Sequence, residues 1–285
     1  MHIKQPAATH ARAGLGTART RRLLWHIPLL LVAAITVVPF YAMVVISLRP
    51  GQIVRMPEAL IPHGLSLGAY QDALRSNDIL AWVVNSTVYS LASVVLVLLF
   101  ASMAGYAFAK KRFLGRDMLF WVFLTMLMVP GQLTLIPQFL MITSMRGLDT
   151  MWGLIVPTLA NAQAMFLMKQ FMEDIPDELI SAARIDGAGE FRTYWSVILP
   201  QTKPILATLG TFVFLWHWND FLWPLVMMRT PSNYVLTVGL NAMQAKEPAL
   251  ATIMASATIT FVPALIVFIV LQRFFVRGVM MSGLK

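Results

Sequence analysis

The 285-residue chain contains no cysteine, which excludes a disulfide framework, a thiolate metal site and a cysteine nucleophile together. Charge is nearly as scarce. Only 12% of residues are charged, against roughly 25% in an ordinary soluble domain, and that little charge cannot clothe the surface of a water-soluble body of this size. Acids are the rarer sign, 13 against 22 Lys and Arg, and none precedes Glu58. The phosphate-cradling GxxxxGK[ST] run is missing, so the sequence carries no ATP-hydrolysing loop of that kind. The five histidines, His2, His10, His26, His63 and His217, are scattered with no HExxH, and no pattern of residues marks a metal or catalytic centre.

What fills the chain instead is apolar. Hydrophobic residues make up 58%, which excludes disorder, because disorder needs low hydrophobicity. Uncharged windows run over 23–48, 79–109, 118–145, 150–168 and 248–272, and a sixth, 204–228, is interrupted only by Asp220. A bilayer core of about 30 Å is crossed by roughly 20 apolar residues in a helix. The expectation is therefore an all-α, polytopic membrane protein with six spans, about 23–48, 81–109, 118–141, 150–171, 204–228 and 249–273. Pro39, Pro130, Pro137, Pro157, Pro224 and Pro263 fall inside the windows; membrane helices tolerate them where neighbours satisfy the freed carbonyls. Residues 1–22, rich in Ala, Thr, Gly and Arg, read as a disordered tail. A secretory signal has an apolar region of only ~7–15 residues, whereas this one has 26; a transit peptide remains compatible with the composition.

The bases set the orientation. With the N-terminus in the cytoplasm, 16 of the 22 Lys and Arg fall on inside segments and 6 outside, as the positive-inside bias requires. An even number of spans places both termini inside, and both tails are basic. The net charge of +9 is thus read as topology, and nucleic-acid binding loses its support.

The inside connection at about 169–203 is the largest, and holds six of the 13 acids. Pro176 and Asp177 mark a helix start, with Leu179, Ala182, Ala183 and Ile185 as an apolar face and Gly187 as its stop. A second short helix, about 190–197, would carry Phe191, Tyr194, Trp195 and Ile198 on one side, broken at Leu199-Pro200. An exposed apolar face on two short helices suits docking of a cytoplasmic partner in a helix-in-groove mode. The competing reading is a hairpin lying on lipid headgroups, against which the acids count, since an anionic leaflet repels them.

Here the residues resemble a known family. Ser181-Ala182-Ala183, then Gly187, then Val197-Ile198-Leu199-Pro200 keeps the spacing of the EAA loop of ABC importer permeases. Pro176-Asp177-Glu178-Leu179 leading into Arg184-Ile185-Asp186-Gly187-Ala188 is similar to its carbohydrate-type branch. So are Asn85-Ser86, Tyr106-Ala107-Phe108-Ala109, Trp218-Asn219-Asp220-Phe221-Leu222-Trp223-Pro224-Leu225 and Gln272-Arg273-Phe274-Phe275-Val276-Arg277-Gly278. The resemblance implies an inner-membrane permease of a sugar importer of the maltose and glycerol-phosphate kind. It also implies a second, different permease, two ATPase subunits that bind ATP and Mg in place of this chain, and an extracytoplasmic solute-binding protein. Coupling to the ATPase then falls to Glu178, Ser181, Ala182, Ala183, Asp186, Gly187, Leu199 and Pro200. Ser181 stands where the family usually has Glu, and Glu178, one turn earlier, offers a carboxylate nearby.

Asp220 is the one acid inside an expected span. If that span starts near Pro204, Asp220 lies about 24 Å along the axis. Trp218, Asn219 and Asp220 then either line a sugar path, where aromatic faces and polar edges suit the cargo, or form an interfacial belt with a hydrated acid. His217 beside them reads as another interfacial residue. Two other classes compete. A secondary transporter or channel working without ATP would need buried ionisable groups for coupling, and an intramembrane enzyme would need a His/Asp/Glu cluster.

Overall fold

The computed structural model describes residues 14–49, 61–62, 64–76 and 78–282, with side chains from 26 to 270 within those segments, Ser76 excepted. Among these residues the regular structure is helical throughout. In chain order the helices are α1 (Gly14–Ser47), α2 (Gly68–Ser76), α3 (Ile79–Lys110), α4 (Arg116–Met126), α5 (Gly131–Ser144), α6 (Met151–Ile155) and α7 (Ala162–Glu173). They continue as α8 (Asp177–Ile185), α9 (Glu190–Thr193), a π-turn at Tyr194–Ile198, α10 (Leu199–Gln201), α11 (Lys203–Trp218), α12 (Leu222–Met227), α13 (Leu236–Gln244) and α14 (Leu250–Ser282).

α3 is the axis of the molecule. Its 32 residues contain no proline and form one unbroken helix, about 48 Å long. Its buried residues recur at helical spacing and many are small: Ser86, Ser90, Ser93, Ala101, Ser102 and Gly105. Small residues let helix backbones approach closely where lipid offers no hydrophobic drive to association. α7 packs along one side of α3 and α11 along another, around Val97, Met165, Met168, Met172, Leu209 and Val213. α1 and α14 pair at the edge, with Phe40 on Phe261 at 4.7 Å. Leu29, Leu30 and Ile35 of α1 are 65–70% exposed, a surface for lipid or another chain.

Three described helices are long and apolar enough to cross a bilayer, and three bent pairs raise the number to six if each crosses as one. Several expected boundaries shift. α1 begins at Gly14, so Gly14 to Arg22 are helical where a disordered tail was expected. The Ala and Arg there are good helix formers, and extending an existing helix is cheap compared with nucleating one. Residues 1–13 lie outside the described residues, as do the side chains of the Gln272–Gly278 motif. The expected span 118–141 is two helices, α4 and α5, meeting at 103°. Pro130 has no N–H to donate and disfavours helix at Val129 before it. The span at 150–171 bends by 45° after Pro157. There a 3-10 turn, Val156–Thr158, ends the first helix, and Asn161 caps α7 by accepting from the Ala164 N–H at 2.8 Å. The span at 204–228 stops at Trp218 and resumes as α12 after a break at 219–221.

At the Ile79 end of α3 a loop is lashed across the bundle. Trp82 Nε1 donates to the Pro231 carbonyl, Asn85 Nδ2 to the Ser232 and Tyr234 carbonyls, and Ser86 Oγ accepts from the Leu236 N–H, at 2.7–3.0 Å. Asp149 closes the same region, accepting from the N–H groups of Arg229 and Thr230 and from Thr230 Oγ1.

The α3–α7 crossing makes a direct prediction. A Cβ on Gly105 would lie 2.8 Å from Met168 Cβ and 3.0 Å from the Lys169 nitrogen. Gly105→Ala should therefore cost about 1–3 kcal/mol by overpacking, read as a thermal unfolding midpoint several degrees below wild type in detergent. An unchanged midpoint would show that the two backbones are not in contact.

Candidate functional site

Two constellations stand out, at different places along α3. The first is the knob formed by residues 177–201. Asp177 and Glu178 in the first turn of α8 and Arg184 in its last complement the helix dipole. The helix ends in a Schellman motif, with Gly187 N–H bonded to Arg184 O and Ala188 N–H to Ala183 O. Gly187 takes φ +77°, the left-handed conformation that suits glycine.

The structure sorts the knob's predicted residues into two faces. Ile180 and Ala183 turn inward against the body, so Ala183 leaves the expected exposed face. Glu178, Ser181, Ala182 and Ile185 face outward, with Ile185 87% exposed. Asp186 and Gly187 form the exposed elbow. Ser181 Oγ turns back to its own helix, donating to the Asp177 carbonyl at 3.1 Å. In the second arm, Tyr194 and Ile198 are buried while Phe191 and Trp195 stack outward on one another at 6.1 Å. These are two adjacent i,i+4 rows and not the single side expected. The break also moves. Leu199 and Pro200 sit inside a short continuous helix, where the π-turn absorbs proline's missing N–H, and the chain bends by 78° at Thr202.

The knob is held by residues that sequence reasoning had used only for topology. Lys110, at the end of α3, donates to Asp177 Oδ1 at 2.8 Å and to the Ile175 and Glu173 carbonyls. Its side chain is 6% exposed, so these partners carry a nearly desolvated cation. Lys111 pairs with Glu190, which Arg184 also reaches at 2.9 Å and Tyr106 Oη at 3.3 Å. The Lys110 hydrogen bond holds the Asp177 carboxyl below the usual range, and those from Lys111 and Arg184 do the same for Glu190. The signal was present in sequence, as adjacent lysines ending a span opposite the acid-rich loop.

The second constellation is an open cleft of about 480 Å3 where three helix breaks meet. Met126 and Leu127 line it at the end of α4, Pro157 and Asn161 at the second bend, and Trp216, His217 and Asp220 at the end of α11. Tyr89 of α3 lies between them, donating to Asp220 Oδ2 at 2.9 Å, with His217 edge-on to its ring at 4.9 Å. Thr237 Oγ1 binds the Asp220 carbonyl. Of the three predicted path residues only Asp220 is here. Trp218 is 4% exposed and stacks on Phe214 in a separate core with Trp82 and Leu236. Asn219 is exposed and donates to the Leu215 carbonyl. Helical spacing explains the difference: Trp216 and His217 lie four and three residues before Asp220, on its face, whereas Trp218 points across the helix. Tyr89 and Asn161 had no such local signal.

Helices apolar enough to cross a bilayer, a cleft at their breaks and a projecting apolar knob define a multi-pass membrane transport subunit. The chain belongs to the family of binding-protein-dependent transport system inner membrane components, whose model matches residues 97–281. It is 33% identical over 270 residues to the sn-glycerol-3-phosphate transport system permease protein UgpE of Yersinia pestis, covering 90% of this chain and 95% of that one. It is 34% identical over 259 residues to the arabinooligosaccharides transport system permease protein AraQ of Halalkalibacterium halodurans, covering 89% and 93%. A chain in the crystal structure of a bacterial ABC transporter involved in the import of the acidic polysaccharide alginate superposes with TM-score 0.79, at 24% identity, over 94% of this chain and 100% of that one. The protein is thus an ABC importer permease, a transport subunit, and the reading as a transporter or channel working without ATP falls away.

The clamp at the end of α3 is testable by pH and charge. Because the folded Asp177 and Glu190 carboxyls lie below their ordinary values, their contribution is complete above that range and is lost only as pH falls through the depressed values. At neutral pH Glu190→Gln removes the Glu190 share and leaves the Lys110–Asp177 pair. Tryptic cleavage after Arg184 and Arg192 should accelerate about two- to five-fold, the scale of exposed ion pairs, and the swap of Lys111→Glu with Glu190→Lys should restore part of the protection. Equal cleavage rates in all three proteins would show that the pair does not hold the knob.

Proposed function

We propose that this chain is one of two different permease subunits of an ATP-driven importer, and that it forms part of the path for a sugar or sugar-like solute. ATP and Mg bind to two separate ATPase subunits, and an extracytoplasmic binding protein delivers the solute. Both termini and the 177–201 knob face the cytoplasm, in line with the excess of bases on that side. Relatives that carry sn-glycerol-3-phosphate and arabinooligosaccharides support the cargo class.

The observation that carries the reading is the exposure of the knob's apolar side chains. Ile185 is 87% and Phe191 70% exposed, on an element that is clamped to α3 and closed by a left-handed glycine. Large apolar residues held outward on a rigid support form a docking surface. ATP-driven closure of the partner then displaces the knob as a body, and the helices rock between inward-open and outward-open packings. Glu178, exposed one turn before Ser181, supplies the carboxylate that Ser181 lacks.

Gly187→Val tests the coupling. A β-branched residue at φ +77° costs about 1–2 kcal/mol and redirects the elbow. The variant should insert into the membrane in normal amount, co-purify with less ATPase and lose most uptake. Normal uptake with normal ATPase recovery would overturn the reading.

A further inference from the structure

The cleft among the helix breaks has a chemistry that bears on which solutes pass. Irregular backbone inside a membrane protein is tolerated where it lines a cavity, and broken helices commonly gather around a transported solute. Here the breaks at 127–130, 156–161 and 219–221 all reach one cleft. Its described lining contains no Lys or Arg, and its one carboxylate is Asp220. Tyr89 donates to that carboxylate at 2.9 Å, a contact open to its ionised form. The His217 Nδ1 lies 2.7 Å from the Val213 carbonyl. A carbonyl only accepts, so that nitrogen donates its proton there. The N-terminus of α7 also opens on the cleft, but its partial charge is about half an elementary charge, and Asn161 already caps it. An ionised Asp220 outweighs that half charge. Asn161, Gln163 and Thr158 add hydrogen-bonding groups to a lining that also holds Trp216.

We infer that this wall of the path admits neutral polyhydroxy solutes and repels phosphate- and carboxylate-bearing ones, with Asp220 as the discriminating charge. The inference rests on the proposed reading of the cleft as part of the translocation path.

The absence of cysteine makes the test direct, since Gln163→Cys gives the chain a single thiol on the cleft lining. The full chain, in membrane vesicles with its co-expressed partners, is treated at pH 8 with methanethiosulfonates of neutral, cationic and anionic charge. It is then purified and its labelling rates are compared. pH 8 lies above the ordinary imidazole range. The cationic reagent should react several-fold faster than the anionic one, as a unit negative charge on the same cleft requires. Adding Asp220→Asn should collapse that ratio toward one. An anionic rate equal to or above the cationic rate, or a ratio that survives Asp220→Asn, overturns the charge selection and leaves the path reading standing. Failure of every reagent to label the thiol overturns both.

Discussion

A helix that crosses hydrocarbon must satisfy its own backbone, and α3 does so without a break from Ile79 to Lys110. The rest of the molecule is arranged around that continuity. At one end Trp82, Asn85 and Ser86 hold the 231–236 segment. Partway along, Tyr89 reaches Asp220. Near the other end Ser102 meets Tyr194, Tyr106 meets Glu190, and Lys110 and Lys111 grip the knob. One rigid element therefore fixes the positions of the loop, the cleft and the knob.

Its neighbours are interrupted where α3 is not, and the interruptions have identifiable causes. Pro130 and Pro157 withdraw backbone donors. The 219–221 break follows Asn219, which spends its side chain on the Leu215 carbonyl. Because the three breaks face one cleft, their irregular backbone need not meet lipid. The same breaks give the cleft its polar edge, which a bundle of continuous helices would have buried in its own hydrogen bonds.

Much of this was legible in the sequence, for reasons that differ by residue. The class of fold followed from charge scarcity and window length, and the Gly187 elbow from a single glycine after an apolar run. The motifs at Asn85-Ser86 and Tyr106 were visible as patterns, but their work is non-local: each ties α3 to a segment some 84–150 residues away in sequence. The bends were not legible, because proline breaks some membrane helices and not others. Pro39 and Pro263 lie inside unbroken helices, while Pro130 does not. Trp218 was a candidate lining residue by adjacency in sequence, but its position around the helix turns it into a separate core. Ala183 was placed outward for the converse reason, since one residue along α8 rotates a side chain by about 100°.

The clamp bears on how the proposed docking surface, although held by weak pairs, would transmit motion. An exposed ion pair contributes little by itself, and Asp177 and Glu190 are both largely exposed. Lys110 is different, because its nearly buried ammonium is held by the Glu173 and Ile175 carbonyls just before the knob as well as by Asp177 at its start, and a buried cation that loses partners is costly. The knob therefore moves with α3 more readily than away from it. From Lys110 to Tyr89 is 21 residues, about 32 Å of unbroken helix, and packed helices shift between discrete arrangements and do not deform continuously. A displacement imposed at the knob thus reaches the Tyr89–Asp220 contact as a movement of one body. That is what the proposed coupling, with the cleft driven by chemistry on another chain, physically requires.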